Sequence, residues 1–130
     1  MSADHTAIAA LLGELDAAAS ALDIDRFLSY FIDGPDFAFA FNGTLRTSRS
    51  AVRAFHVAAW ANVAKVSFRT TIERIAFPAD GVATVCGVGR SQRILANGDA
   101  RSGEYALTLL AVRRPEGWRV LQAHESTAGG

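Results

Sequence analysis

One cysteine, three prolines and no surplus of charge of either sign set this 130-residue chain apart, and each shortage excludes something. The lone Cys86 rules out an intramolecular disulfide and any multi-cysteine zinc site. Its neighbours in ATVCGVG are small and apolar, so a buried, unreactive strand thiol is expected. Lys+Arg and Asp+Glu stand at 13 each. A nucleic-acid binder would normally carry a basic stripe or surplus, so nucleic acid is not expected as a partner. No apolar run approaches the ~20 residues that span a bilayer, so no membrane partner is expected either. Asp4, Glu14 and Asp16 break up the N-terminal apolar residues, unlike a signal peptide, and a cytoplasmic location is the default. Repeats, linkers and low-complexity segments are missing, so residues 1–130 read as a single domain.

What is present is an ordinary globular composition, with 50% hydrophobic residues and 20% charged. A chain of this length buries roughly two-thirds of its unfolded surface and needs no staple. Ser2 or Asp4 caps a first helix whose stripe runs through Ile8, Leu11, Leu12, Leu15 and Ala19. Asp23 caps a second, shorter helix that buries Phe27, Leu28 and Phe31, and Asp33-Gly34-Pro35 stops it. DFAFAF then alternates with period two, so Phe37, Phe39 and Phe41 share one face. Asn42-Gly43 is a strong hairpin signal leading into a brief strand around Leu45. Ser48 or Ser50 caps a third helix carrying Val52, Phe55, His56, Ala59, Trp60 and Val63 along one side. Strands follow over residues 66–77, 82–95, 105–114 and 118–127, with turns at 78–81, 97–99 and 115–117. Helices first and a meander afterwards predict an α+β fold: three N-terminal helices packed on a curved antiparallel sheet, cone-shaped.

The order of elements, the segment NGTLRTSRSAVRAFHVAAW and the ending GWRVLQAHES together resemble the nuclear transport factor 2-like superfamily. The likeness is to its SnoaL-like and ketosteroid-isomerase-homologue members, and covers nearly the whole chain. The last strand is also similar to that of the association domain of calcium/calmodulin-dependent kinase II. Ser48 stands where these proteins usually have a glycine. The resemblance implies a cystatin-like roll around a pocket, and a homodimer built on the sheet's other side. It does not choose between isomerases, cyclases, dehydratases and plain binding domains.

Ketosteroid isomerase takes a proton beside a carbonyl with an Asp base, helped by a Tyr and a protonated Asp. Aligned with that family, the base falls at Phe39 or Ala40, the tyrosine at Leu15 and the second aspartate near Leu109 or Leu110. All are apolar, so that reaction is rejected.

The polar residues that remain supply the candidates. His56 lies four residues from both Val52 and Trp60, on the apolar side of its helix. It is either a pocket group able to move protons or a core-edge histidine bonded to a backbone carbonyl. His124 shares a period-two face with Trp118, Val120, Gln122 and Ser126, which is either the pocket's inner wall or the dimer face. Tyr30 and Asp36 bracket the junction into the first strand, close to the family's pocket mouth. Arg90, on a face with Cys86 and Val88, is either an anion-holding pocket residue or a solvated one. Glu73 alternates with Arg69 and Thr71, as for a cross-strand ion pair. His5, His56 and His124 have no ligand-like spacing, and no phosphate loop, nucleophile elbow or dinucleotide fingerprint appears, so neither metal nor cofactor is expected.

The resulting expectation is a dimeric protein that binds a small apolar or aromatic molecule. Phe37, Phe39, Phe41, Trp60 and Tyr105 would be its walls, and His56 and His124 its polar contacts. The rivals are an acid–base enzyme using His56 or His124, and an assembly domain whose interior is packed solid.

Overall fold

The computed structural model describes residues 2–128. Helix α1, Ala3–Ser20, starts where the Ser2 side chain accepts the His5 N–H at 3.0 Å, so Ser2 rather than Asp4 is the cap. Its buried residues Ile8, Leu11, Leu12, Leu15, Ala18 and Ala19 form one stripe. Helix α2, Ile24–Leu28, is capped by Asp23, whose carboxylate accepts the Arg26 N–H at 3.1 Å. Strands β1, Ala38–Phe41, and β2, Thr44–Arg46, form a hairpin. Asn42 at φ 46° and Gly43 at φ 86° make the left-handed turn expected of an Asn-Gly pair. Ser48, not Ser50, caps helix α3, Arg49–Trp60, by accepting the Ala51 N–H at 3.1 Å.

Four long strands complete the chain: β3 Val63–Ala79, β4 Val82–Leu95, β5 Ala100–Arg114 and β6 Gly117–Thr127. Val63, expected on α3, opens β3 instead, because the helix ends at Trp60. The sheet order is β2-β1-β6-β5-β4-β3. The fold is the expected α+β arrangement, with one refinement. β1 pairs parallel with β6, so the sheet is mixed rather than wholly antiparallel.

Two irregularities shape the sheet. The β3–β4 register shifts between Ile72 and Arg74, and the β5–β6 register shifts so that Ala111 pairs with Val120 while Leu110 pairs with Gln122. Leu121 is the extra residue of that second bulge. Bulges bend and twist a strand, and here they help the sheet curl around the helices. At the narrow end Ile8, Val52, Ala83, Val85, Ala111 and Val120 are fully buried, each larger side chain contributing about 1.5–3 kcal/mol. Cys86 is exposed, contrary to expectation, because alternation along β4 turns it outward while Val85 and Gly87 face in.

Candidate functional site

At its wide end the cone stays open. A cavity of about 510 Å³ lies between the helices and the inner face of the sheet. Phe39 and Phe41 of β1 border it, with Phe27, Phe55 and Trp60 from the helices and Tyr105 from β5. The first strand's alternation places Phe39 and Phe41 here, as the sequence predicted. Phe37 lies on the same side but fills the core against Phe31, at 2% exposure.

His56 sits at the centre of the aromatic wall. Its ring lies 4.9 Å from Trp60, 5.0 Å from Phe55, 5.3 Å from Phe27 and 5.7 Å from Phe39, centroid to centroid. Nδ1 lies 2.9 Å from the Val52 carbonyl oxygen. A carbonyl only accepts, so Nδ1 carries the proton and donates it there. Burial lowers the imidazole's pKa, and the nearby Arg46 charge lowers it further, against the opposing pull of the Val52 bond. Both sequence readings of His56 therefore meet in one residue, bonded to a backbone carbonyl and bordering the cavity.

A second polar cluster was missed. Asp16 of α1 borders the cavity and accepts the Thr70 N–H at 2.7 Å and the Thr70 hydroxyl at 2.8 Å. Thr70 Oγ1 also lies 2.7 Å from Tyr105 Oη. Burial raises the Asp16 pKa despite those two bonds. Tyr105 is pushed up to about 12, chiefly by burial, with the Asp16 and Glu125 charges adding to it. The Tyr105 ring lies over Gly89, where a Cβ would meet its Cζ at 2.1 Å. Only glycine leaves room for it.

Glu125 is the most perturbed carboxyl. Burial pushes it up to about 7, and the Asp16 charge pushes the same way. It borders the cavity beside Phe41, its parallel partner on β1. Its position follows from the Leu121 bulge. Trp118 and Val120 face in, the extra residue shifts the phase, and then Ala123, Glu125 and Thr127 face in while Gln122, His124 and Ser126 face out. Unbroken alternation had put His124 with Trp118; the bulge separates them. His124, expected as a polar contact of the cavity, is instead exposed on the outer face.

The remaining sequence candidates lie elsewhere. Trp118 is buried away from the cavity, its indole N–H donating to Asp4 at 3.3 Å. Gln122 donates to the Asp36 carbonyl at 3.1 Å, and both residues are exposed. Tyr30 donates to Glu14 at 2.9 Å beneath the Arg119 guanidinium. Arg90 points outward, 3.6 Å from Glu104, because odd and even positions of β4 face opposite ways. It borders a separate hollow of about 630 Å³ on the outer face, with Arg69 and Val88. Glu73 falls in the β3 bulge, outside the regular pairing. Among the described residues no group of three His, Cys, Asp or Glu side chains is placed to hold a metal ion, and no helix is long and apolar enough to cross a membrane.

A helix-backed curled sheet around an open cavity defines the nuclear transport factor 2-like fold, and solved structures agree. A ketosteroid isomerase-like protein from Erwinia carotovora atroseptica matches with a TM-score of 0.84 and 14% identity over 100% of both chains. A candidate dehydratase of the nuclear transport factor 2-like family from Streptomyces avermitilis matches at 0.83 and 15%, over 98% of each. A cystatin-like domain of unknown function from Nostoc punctiforme matches at 0.76 and 20%, over 97% of this chain and 78% of its own. At these identities the likeness carries the fold alone. The family model for the SnoaL-like domain matches residues 8–129, and the chain belongs to that family. A search of curated proteins found no match.

Proposed function

We propose that the cavity takes up a small, mostly apolar molecule and that Glu125 moves a proton on it. The observation carrying this is the Glu125 carboxyl, turned into an aromatic-walled cavity that Asp16 also borders and pushed up to about 7. A group that titrates near the working pH is both a competent acid and a competent base. Burial plus a second carboxyl is a known way of tuning such a group. His56, neutral and bordering the same cavity, is a second proton acceptor. The reaction class is therefore isomerisation, dehydration or cyclisation, in which protons move and no electrons are exchanged. Structural neighbours named for an isomerase and a dehydratase support that class. The same residues would serve a binding protein if no bound molecule carries a removable proton.

Carboxyl-carbon NMR titration tests the assignment. Glu125 titrating near pH 7 supports it; an ordinary carboxylate midpoint of about 4.3 sinks it. Native mass spectrometry of freshly purified protein then gives the mass of any co-purifying molecule. That compound, returned to the protein, is expected to turn over with wild type and to bind to Glu125→Gln without turning over. Turnover at an equal rate by the variant would remove Glu125 from the chemistry.

The outer face suits a second copy of the chain, the partner that the family likeness implies. Val88 is 47% exposed there, beside Thr84, Cys86, Ala106, Thr108 and His124. A net charge of zero offers little repulsion between copies. Analytical ultracentrifugation is expected to give a dimer that Val88→Arg dissociates. A wild-type monomer would end this part of the proposal.

A further inference from the structure

The hydrogen atoms of the cavity wall can be placed by following donors to their acceptors. Thr70 has one hydroxyl proton, and it goes to the Asp16 carboxylate at 2.8 Å. Tyr105, 2.7 Å away, must then donate its own proton to Thr70 Oγ1. The phenol oxygen is left with lone pairs only. On His56 the Nδ1 proton is spent on the Val52 carbonyl, so Nε2 also has a lone pair and no proton. Asp16 and ionised Glu125 accept as well. Asn42, which borders the same cavity but is exposed, commits one of its two amide protons to Thr127 at 2.8 Å. The Trp60 indole N–H and the Ser91 and Thr127 hydroxyls are the uncommitted donors on the more enclosed part of the wall. Arg93 borders the cavity but is exposed.

Four acceptors facing few uncommitted donors restrict what the cavity will hold. An apolar molecule without donors would strip water from these oxygens and from Nε2 and return nothing, a costly exchange for any buried acceptor. A carbonyl compound would add another acceptor to the same wall. Resting on the pocket reading above, we infer that the natural ligand is a hydroxyl-bearing apolar molecule, a phenol or an alcohol, whose O–H donates to the Tyr105, Asp16, His56 and Glu125 set. The wall is the reverse of an oxyanion hole, which presents donors to a carbonyl oxygen. A proton leaving the ligand hydroxyl has a ready acceptor in Glu125 or His56, which ties recognition to the proposed chemistry.

The test uses wild-type protein and three probes of one ring system: naphthol, its methyl ether methoxynaphthalene, and acetylnaphthalene. Isothermal titration calorimetry at about pH 8, where Glu125 is ionised, is expected to give naphthol an affinity about tenfold higher than either of the others. In Tyr105→Phe, which keeps the ring over Gly89, that margin is expected to shrink about threefold. Methoxynaphthalene or acetylnaphthalene binding as tightly as naphthol would overturn the inference while leaving the pocket reading standing. If none of the three binds, the pocket reading fails and the inference falls with it. Because the main comparison uses wild type, it does not depend on a variant folding.

Discussion

Glu125 and Glu104 sit on neighbouring strands of one sheet and face opposite ways. Glu125 is turned into the cone, where burial and Asp16 push it up to about 7. The Glu104 side chain is 69% exposed, 3.6 Å from an equally exposed Arg90, a geometry worth little in water. The histidines divide likewise, His56 among four aromatic rings and His124 in solvent. The lesson is that the face, not the residue type, sets a group's chemistry here. Reactive character requires the dry side of the sheet.

This contrast can be broken most forcefully at adjacent positions of β4. Gly89→Ala drives a Cβ into the Tyr105 ring, and the buried ring has to leave its place. The expected cost is about 3 kcal/mol, against about 0.5 kcal/mol or less for outward-facing Val88→Ala, read by urea unfolding. Equal effects would mean that the ring does not occupy that space.

A pH series sharpens the comparison next. Glu125 has a folded pKa raised to about 7, above the unfolded value of about 4.3. Its favourable contribution is therefore whole below about pH 4.3 and lost as pH rises to 7, about 3.5 kcal/mol in all. Glu125→Gln is expected to remove that decline, so the variant overtakes wild type between about pH 5 and 8. Glu104→Gln, which removes only an exposed ion pair, is expected to change stability by about 0.5 kcal/mol or less. A difference between wild type and Glu125→Gln that stays constant from about pH 4 to 8 would show that Glu125 reaches water.

The smallest difference concerns the histidines. His56→Ala loses ring packing and the Val52 bond, about 1.5 kcal/mol, whereas His124→Ala changes stability by about 0.5 kcal/mol or less in the monomer. A larger effect at His124 that grows with protein concentration would place it in a contact between copies.

Much of this was legible in the sequence. Asn42-Gly43, the caps at Ser2, Asp23 and Ser48, and the alternation of DFAFAF are local signals read by short-range physics, and the structure follows them. The alternation and the third helix's spacing led to Phe39, Phe41, His56 and Trp60, which border the cavity, as does Tyr105. The carboxyls were missed for two reasons. Asp16 lies four residues from Leu12 and three from Ala19, inside the apolar stripe, and a carboxylate in that place was itself the signal. Glu125 was hidden by a change of strand phase. The adjacent apolar pair Val120-Leu121 was the hint of it, and a pairing partner was needed to make the phase visible. The Asp16–Thr70–Tyr105 chain joins residues 54 and 35 positions apart, a separation that no local pattern spans.

The bulge at Leu121 also has a hereditary meaning. Loss of that one codon would restore regular pairing and carry every later residue of β6 to the opposite face. Gln122, His124 and Ser126 would then look into the cone, and Glu125 would look out. A single in-frame deletion would thus exchange a carboxyl on the cavity wall for an imidazole without substituting any residue. One residue at position 121 decides which of two sets of polar side chains the cavity receives.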